Sequence, residues 1–246
     1  MTRGDFEGSF FVIEGPDASG KQTQTGRIVE WLRSEDMASI SDEAEQNIIE
    51  RMPGKYPRPE IDDRVEDSIE DGVWRLSFPT YKQTPGGRVV DAYLKGRLGE
   101  RKGLEMEEKV DIYAADRKQF KELISEYLSG GGIIVCDRYR EANLIHQLVG
   151  FEGEKWEDKL EYIKGVDADL PDSDIIFYLD ISPQEAIDRM SDKEKDIHEL
   201  DSDYMEKSNR NGRKVAEYEG WEIIDSERDR DEVEREIRGE IEKVFD

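Results

Sequence analysis

Directly after the apolar run Phe10–Ile13, and directly before a helical pattern, the chain reads Glu14, Gly15, Pro16, Asp17, Ala18, Ser19, Gly20, Lys21. Gly15 and Gly20 bracket four residues and precede Lys21, the spacing GxxxxGK. Glycines so placed let backbone N–H groups converge on phosphate oxygens. The following helix adds the positive end of its dipole, and the lysine reaches the outer phosphates. Such loops usually continue with Ser or Thr, whose hydroxyl binds Mg²⁺; here Gln22 stands in that place and Thr23 follows. An amide oxygen or a bridging water at Gln22 can still serve a hard cation. The competing reading is a simple strand-to-helix turn built from Gly and Ser. A second group lies at Asp137, Arg138 and Tyr139, where another apolar run ends. A carboxylate leaving a strand beside the loop suits a water-mediated Mg²⁺ ligand, or a helix cap. The guanidinium after it can hold two phosphate oxygens, or pair with a surface acid.

These groups need a scaffold that brings strand ends together. Short apolar runs at Phe10–Glu14, Val73–Phe78, Ile133–Asp137, Ile175–Asp180 and Glu222–Asp225 alternate with longer helical patterns. The helical patterns are Lys21–Arg33, Gly87–Leu98, Glu105–Leu128, Arg140–Val149, Pro183–Met190, Asp203–Tyr218 and Asp231–Val244. That alternation predicts an α/β fold, a five-stranded parallel sheet flanked by helices in a single domain spanning 1–246. Glu35–Gly72 breaks the rhythm with 13 acids against four bases, punctuated by Pro53, Pro57 and Pro59. It reads as an acidic insertion, carrying either a short helix near Ala44–Arg51 or an unstructured surface flap. Glu152–Asp174 reads as an added helix and loop. There is no internal repeat.

Composition narrows the function. The 246 residues carry 36 Lys or Arg against 61 Asp or Glu, a net charge of −25. That charge repels nucleic acid and anionic lipid, and no basic run offsets it. No apolar stretch approaches the roughly 18 residues of a membrane span, and the N-terminus lacks the apolar core of a signal peptide. One cysteine and two histidines give no zinc-site spacing. A cytoplasmic protein is expected, with neither nucleic acid nor membrane as a partner. The acids run through every segment, and 20 Arg outnumber 16 Lys. This favours a high-salt, halophilic cytosol over a merely acidic protein in ordinary salt.

Taken with EGPDASGKQTQ, the segment IIVCDRYREANLIHQ resembles the thymidylate kinase family of P-loop nucleoside monophosphate kinases. Three further segments extend the resemblance: Phe78-Pro79-Thr80-Tyr81, Tyr113-Ala114-Ala115-Asp116-Arg117, and LDISPQEAIDRM. It covers most of Gly8–Tyr218 and skips the acidic insertion. It implies transfer of the ATP γ-phosphoryl group to dTMP, with Mg²⁺ as cofactor and ATP as co-substrate, in an enzyme that is commonly a homodimer.

The resemblance also implies roles. Gly15, Ser19, Gly20, Lys21, Gln22 and Thr23 would bind ATP. Lys21, Arg138, Asp17 and Arg189 would be catalytic, and Asp137 and Gln22 would face the metal, in part through water. Asp17, Phe78, Tyr81, Tyr113, Arg117, Arg138, Asn143, His146 and Gln147 would surround the acceptor. Within that set Asp17 would contact the sugar hydroxyl, Tyr81 and Arg138 the phosphate, Tyr113 the face of the base, and Arg117 and Asn143 its edge. Arg189, Lys193 and Lys195 would form a basic lid over ATP within about residues 189–200. Three departures stand out: Gln22 replaces the usual hydroxyl, His146 the family's Tyr, and Ile197 a common lid Arg. They leave open a kinase for another monophosphate or for a deoxynucleoside, and a non-catalytic nucleotide-binding regulator.

Overall fold

The computed structural model describes residues 6–53, 68–98, 103–190 and 202–245. At its centre is a six-stranded sheet: β1 (Ser9–Glu14), β2 (Ser68–Glu70), β3 (Val73–Ser77), β4 (Ile133–Asp137), β5 (Ile175–Asp180) and β6 (Glu222–Asp225), in the order β2-β3-β4-β1-β5-β6. Five strands run parallel, and β2 lies antiparallel on the edge of β3. The expected five-stranded parallel sheet is therefore corrected to six strands. The sequence pattern misses β2 because Ser68-Ile69-Glu70 is three residues long and sits in a polar, acidic stretch with no alternation to read.

The helices are α1 (Lys21–Ser34), α2 (Asp42–Arg51), α3 (Pro85–Leu94), α4 (Met106–Lys118), α5 (Lys121–Ser129), α6 (Glu141–Gln147), α7 (Glu154–Val166), α8 (Pro183–Arg189), α9 (Ser202–Glu219) and α10 (Arg230–Phe245). α3 starts two residues before its predicted start because Thr84 caps it, accepting from the Gly87 N–H at 3.0 Å, and Pro85 fills the first turn. The helix predicted over Glu105–Leu128 is two helices. The chain turns at Phe120, whose N–H bonds Arg117 O at 3.0 Å, and the Phe120 ring packs edge-on to Phe78 at 5.4 Å. No Gly or Pro marks that break; burial of one ring dictates it.

Side chains of β1 alternate between two cores. Phe11 and Ile13 pack with Ile28 and Leu32 of α1 and with Val233, Ile237 and Ile241 of α10. Phe10 and Val12 face Trp74, Leu123, Tyr127 and Tyr139 on the other side. The chain after β1 thus turns to one face and the chain after β4 to the other. The carboxyl ends of β1 and β4 lie side by side, the usual ligand position of such sheets.

The described part of the acidic stretch is packed on this body. Ser41 caps α2, Ile48 is buried in the second core, and Glu45 accepts from the Gly72 N–H at 2.7 Å. Residues 54–67 lie outside the described residues. No described helix is long and apolar enough to cross a membrane.

Candidate active site

Glu14 ends β1, and the backbone then turns at Gly15 (φ 149°) and Ala18 (φ 60°) and enters α1 through Gly20 (φ 97°). A Cβ at Gly15 would lie 2.7 Å from Leu179 O and 2.8 Å from Ser19 Oγ, so the loop can pass under β5 only with glycine there. Gly20 stands at the N-cap position in the left-handed region, with no side-chain cap on the helix. Orphan N–H groups at such a terminus are suited to an anion. Ser19 is buried, and its Oγ has no protein partner. Gln22 and Thr23 are exposed on the first turn of α1.

Lys21 is 7% exposed, and its ammonium donates to Pro16 O at 2.6 Å. Burial, together with repulsion from Arg138, pushes it down to about 8, against the attraction of Asp137, Asp17 and Glu14. Arg138 follows β4 with φ 65°, a left-handed conformation that is uncommon outside glycine, and its N–H bonds Ile13 O at 3.1 Å. Neighbouring β1 thus fixes the backbone from which the guanidinium projects. Its Nη2 donates to Asp17 Oδ1 at 2.6 Å, and its Nη1 lies 3.1 Å from His146 Nε2. Burial disfavours the charge, but Asp17, Glu14 and Asp137 more than compensate, and Arg138 stays protonated.

The structure therefore brings Asp17, Lys21, Asp137, Arg138 and His146 together. Tyr81, 46% exposed, stands on the loop after β3, which the Phe78 N–H ties to Asp137 O at 3.1 Å. Tyr113 is half-buried on α4, with its ring edge-on to Tyr93 at 6.1 Å. Gln147 is half-buried at the end of α6.

Four more of the expected site residues make contacts within the protein. Arg117 is 2% exposed and bound to Asp167 at 2.5 Å. A buried guanidinium needs a counter-charge, and the residue following α7 supplies it, while Arg117 Nε has no partner. Asn143 is buried and gives its amide to Val110 O at 3.3 Å, tying α6 to α4. Phe78 is a core residue between Phe120 and Tyr139. Arg189, at the end of α8, pairs with Glu185 at 2.8 Å, while Lys193 and Lys195 lie outside the described residues.

Against this geometry, the sequence model of the thymidylate kinase family matches residues 73–237, about two-thirds of the chain. The chain belongs to the thymidylate kinase family. A thymidylate kinase of Herpetosiphon aurantiacus is 27% identical over 191 residues, a match that covers 77% of this chain and 64% of that protein. One of Prochlorococcus marinus, strain NATL2A, is 27% identical over 244 residues, covering 97% and 98% of the two chains. The solved thymidylate kinase of Candida albicans, at 18% identity, superposes with a TM-score of 0.65 over 97% of this chain and 92% of that one. It shares the P-loop NTPase fold. The family model's match begins at Val73, and the loop before it lies within the span matched by the Prochlorococcus protein.

Two features of this thymidylate kinase family member escape a reading of its sequence for motifs. The first is Glu14. Fully buried, it accepts from the Tyr139 N–H at 3.0 Å through Oε1, while Oε2 has no partner. Burial pushes its carboxyl up to about 7, against the pull of Arg138. An acid closing an apolar strand just before the loop is the signal that could have revealed it.

The second is Asp116, 1% exposed. Its Oδ2 accepts from the Thr80 N–H at 2.7 Å, and its Oδ1 from Thr80 Oγ1 at 2.6 Å, Gln119 Nε2 at 2.8 Å and Thr84 Oγ1 at 3.0 Å. This carboxylate clamps the loop after β3, and with it Tyr81, onto α4. Nothing local announces it, because its partners lie 32 to 36 residues away in sequence, Gln119 excepted.

Proposed function

We infer that this chain is an ATP-dependent dTMP kinase, transferring the γ-phosphoryl group of ATP to the 5′-phosphate of dTMP to give dTDP and ADP. Convergence of Lys21, Arg138 and Asp17 at the carboxyl ends of β1 and β4 carries the reading. The acceptor phosphate, with a second pKa near about 6, is largely dianionic at neutral pH and attacks without a strong base. Catalysis is then positioning and charge neutralisation. Lys21 lies at the mouth of the loop and draws on the β and γ phosphates. Arg138 faces the acceptor phosphate; a guanidinium has five N–H donors, and the Asp17 and His146 contacts leave others for phosphate oxygens.

ATP would lie on Gly15, Ser19, Gly20 and Lys21, with Gln22 and Thr23 at the rim, and the orphan Ser19 Oγ fits a phosphate oxygen. Mg²⁺ bound with the nucleotide would neutralise charge on the transferred group. Asp137, half-buried at the end of β4, and the exposed amide of Gln22 are the oxygen ligands that fit it, directly or through water. Tyr81 and Tyr113 would border the acceptor, with Gln147 beside them. The proposal includes a homodimer working in a salt-rich cytosol, supported by family resemblance and by the charge of −25 respectively.

A coupled ADP-release assay with dTMP, dUMP, UMP and dCMP, in dilute buffer and in molar KCl, tests the reading. dTMP should give the highest kcat/KM. A preference for dCMP, or ATP turnover independent of any monophosphate, would overturn the acceptor assignment, and light scattering reports the oligomeric state.

A further inference from the structure

Both nitrogens of His146 are already engaged by protein. Nε2 faces Arg138 Nη1 at 3.1 Å, and Nδ1 faces Ser208 Oγ at 3.1 Å, with the Tyr204 hydroxyl at 3.5 Å. A guanidinium can only donate, so Nε2 is the acceptor, and the imidazole proton sits on Nδ1, directed at Ser208. Ser208 is buried on α9, and Tyr204, one turn earlier, also donates to His146 O at 3.4 Å. The ring thus has no polar atom left for a nucleotide. It bridges α9 to the guanidinium beside the phosphate loop.

We propose that His146 is a positioning residue for Arg138: with Ser208 fixing its tautomer, it holds one arm of the guanidinium while Asp17 holds the other. The proposal rests on the reading of Arg138 as the group that binds the acceptor phosphate. The two contacts pull on different nitrogens, Nη1 toward α6 and Nη2 toward the loop, and so set the plane of the fork. A planar fork grips two phosphate oxygens only when that plane is right. Asp17 alone, on an exposed loop side chain, would leave the guanidinium free to swing about a single contact.

The test separates action through Arg138 from direct contact and from packing. Affinities for dTMP and for thymidine, which lacks the phosphate, are measured by calorimetry alongside kcat. The proteins are the native enzyme, His146→Gln, His146→Asn, Ser208→Ala and Arg138→Ala. A Gln amide oxygen reaches the position of Nε2 and can accept from Arg138; an Asn reaches only that of Nδ1. His146→Asn should weaken dTMP binding by about tenfold or more, the loss of one hydrogen bond to a charged group, while thymidine affinity stays within about twofold. His146→Gln should keep dTMP affinity within about threefold of native, and Ser208→Ala should fall between the two.

Equal loss of dTMP and thymidine affinity in His146→Asn would show direct contact or packing and overturn the proposal. Equivalence of the Gln and Asn variants would do the same. Arg138→Ala tells the two levels apart. If it leaves the ratio of dTMP to thymidine affinity unchanged, the phosphate-binding reading fails and the positioning role falls with it. If it collapses that ratio while the His146 variants do not, only the positioning role is lost.

Discussion

Replacing Asp116 by Asn changes no shape and removes one charge, so its effect can be worked from the four contacts. One carboxylate oxygen becomes an NH₂ group. Placed at Oδ2, it faces the Thr80 N–H, donor against donor, at a site 1% exposed. Placed at Oδ1, it lets the Thr80 and Thr84 hydroxyls turn round and accept, but it opposes the Gln119 amide, which also donates there. At Oδ2 one buried donor loses its acceptor, at about 1–3 kcal/mol; at Oδ1 the Gln119 amide keeps Thr84 Oγ1 at 2.7 Å and Asp116 O at 3.0 Å, and in both cases the surviving bonds lose the charge that strengthened them. A total of about 2 kcal/mol follows, which for a chain of this size lowers Tm by about 4–8 °C.

The functional effect should be one-sided, because the loop clamped by Asp116 carries Tyr81 on the acceptor side, while the phosphate loop hangs from β1. KM for dTMP should rise several-fold with KM for ATP unchanged. Calorimetric melting and steady-state kinetics at fixed KCl read both. A Tm within about 2 °C of native, or equal changes in the two KM values, would refute the account of Asp116 as the clamp of that loop.

Lys21→Ala should lower kcat by at least about two orders of magnitude with Tm preserved, since it removes charge aimed at the transferred group; near-native kcat at saturating ATP and dTMP would remove Lys21 from the mechanism. Gln22→Thr, on an exposed position, should leave stability unchanged and lower the Mg²⁺ concentration needed for half-maximal rate, read from a metal titration. Raising KCl from 0.1 to 1 M shortens the Debye length from about 10 Å to about 3 Å. The repulsion of 25 excess negative charges should fade and Tm should climb, although exposed ion pairs such as Arg51–Glu126 weaken at the same time.

Glu14 supplies a pH signature. Its folded pKa is raised from 4.5 to about 7, so between those values the unfolded chain gives up a proton that the folded one keeps, and stability falls as pH rises. Glu14→Gln cannot ionise. Its stability relative to the native enzyme should therefore improve steadily from about pH 4.5 to 7 and then level off, as chemical denaturation across that range would show.

Where local chemistry decides, the sequence was readable. Ile133–Asp137 and Ile175–Asp180 end where their apolar runs end, and the loop from Gly15 to Lys21 is spelled out by its glycines. The convergence of Asp17, Lys21 and Arg138 follows from β1 and β4 lying side by side. What the sequence hid depends on partners distant along the chain. The counter-charge of Arg117 is Asp167, 50 residues on, and Asn143 gives its amide to Val110 O, 33 residues back. His146 is a departure from the family pattern whose meaning appears only when α9 brings Ser208 to it.

The antiparallel strand β2 acquires a further significance from the charge of the molecule. In dilute solution, copies carrying −25 keep apart by mutual repulsion, but concentrated salt removes that protection and exposes any open strand edge to pairing with another chain. β2 occupies the edge of β3, while Arg33 donates to Glu70 O at 3.2 Å and Val73 O at 3.1 Å, holding carbonyls at the hairpin's tip. At three residues, β2 is itself too short a template to recruit a stranger, and β6, at the opposite edge, has exposed acids at Glu222 and Asp225. Where salt screens the charge, resistance to edge pairing rests on the geometry of the sheet's margins.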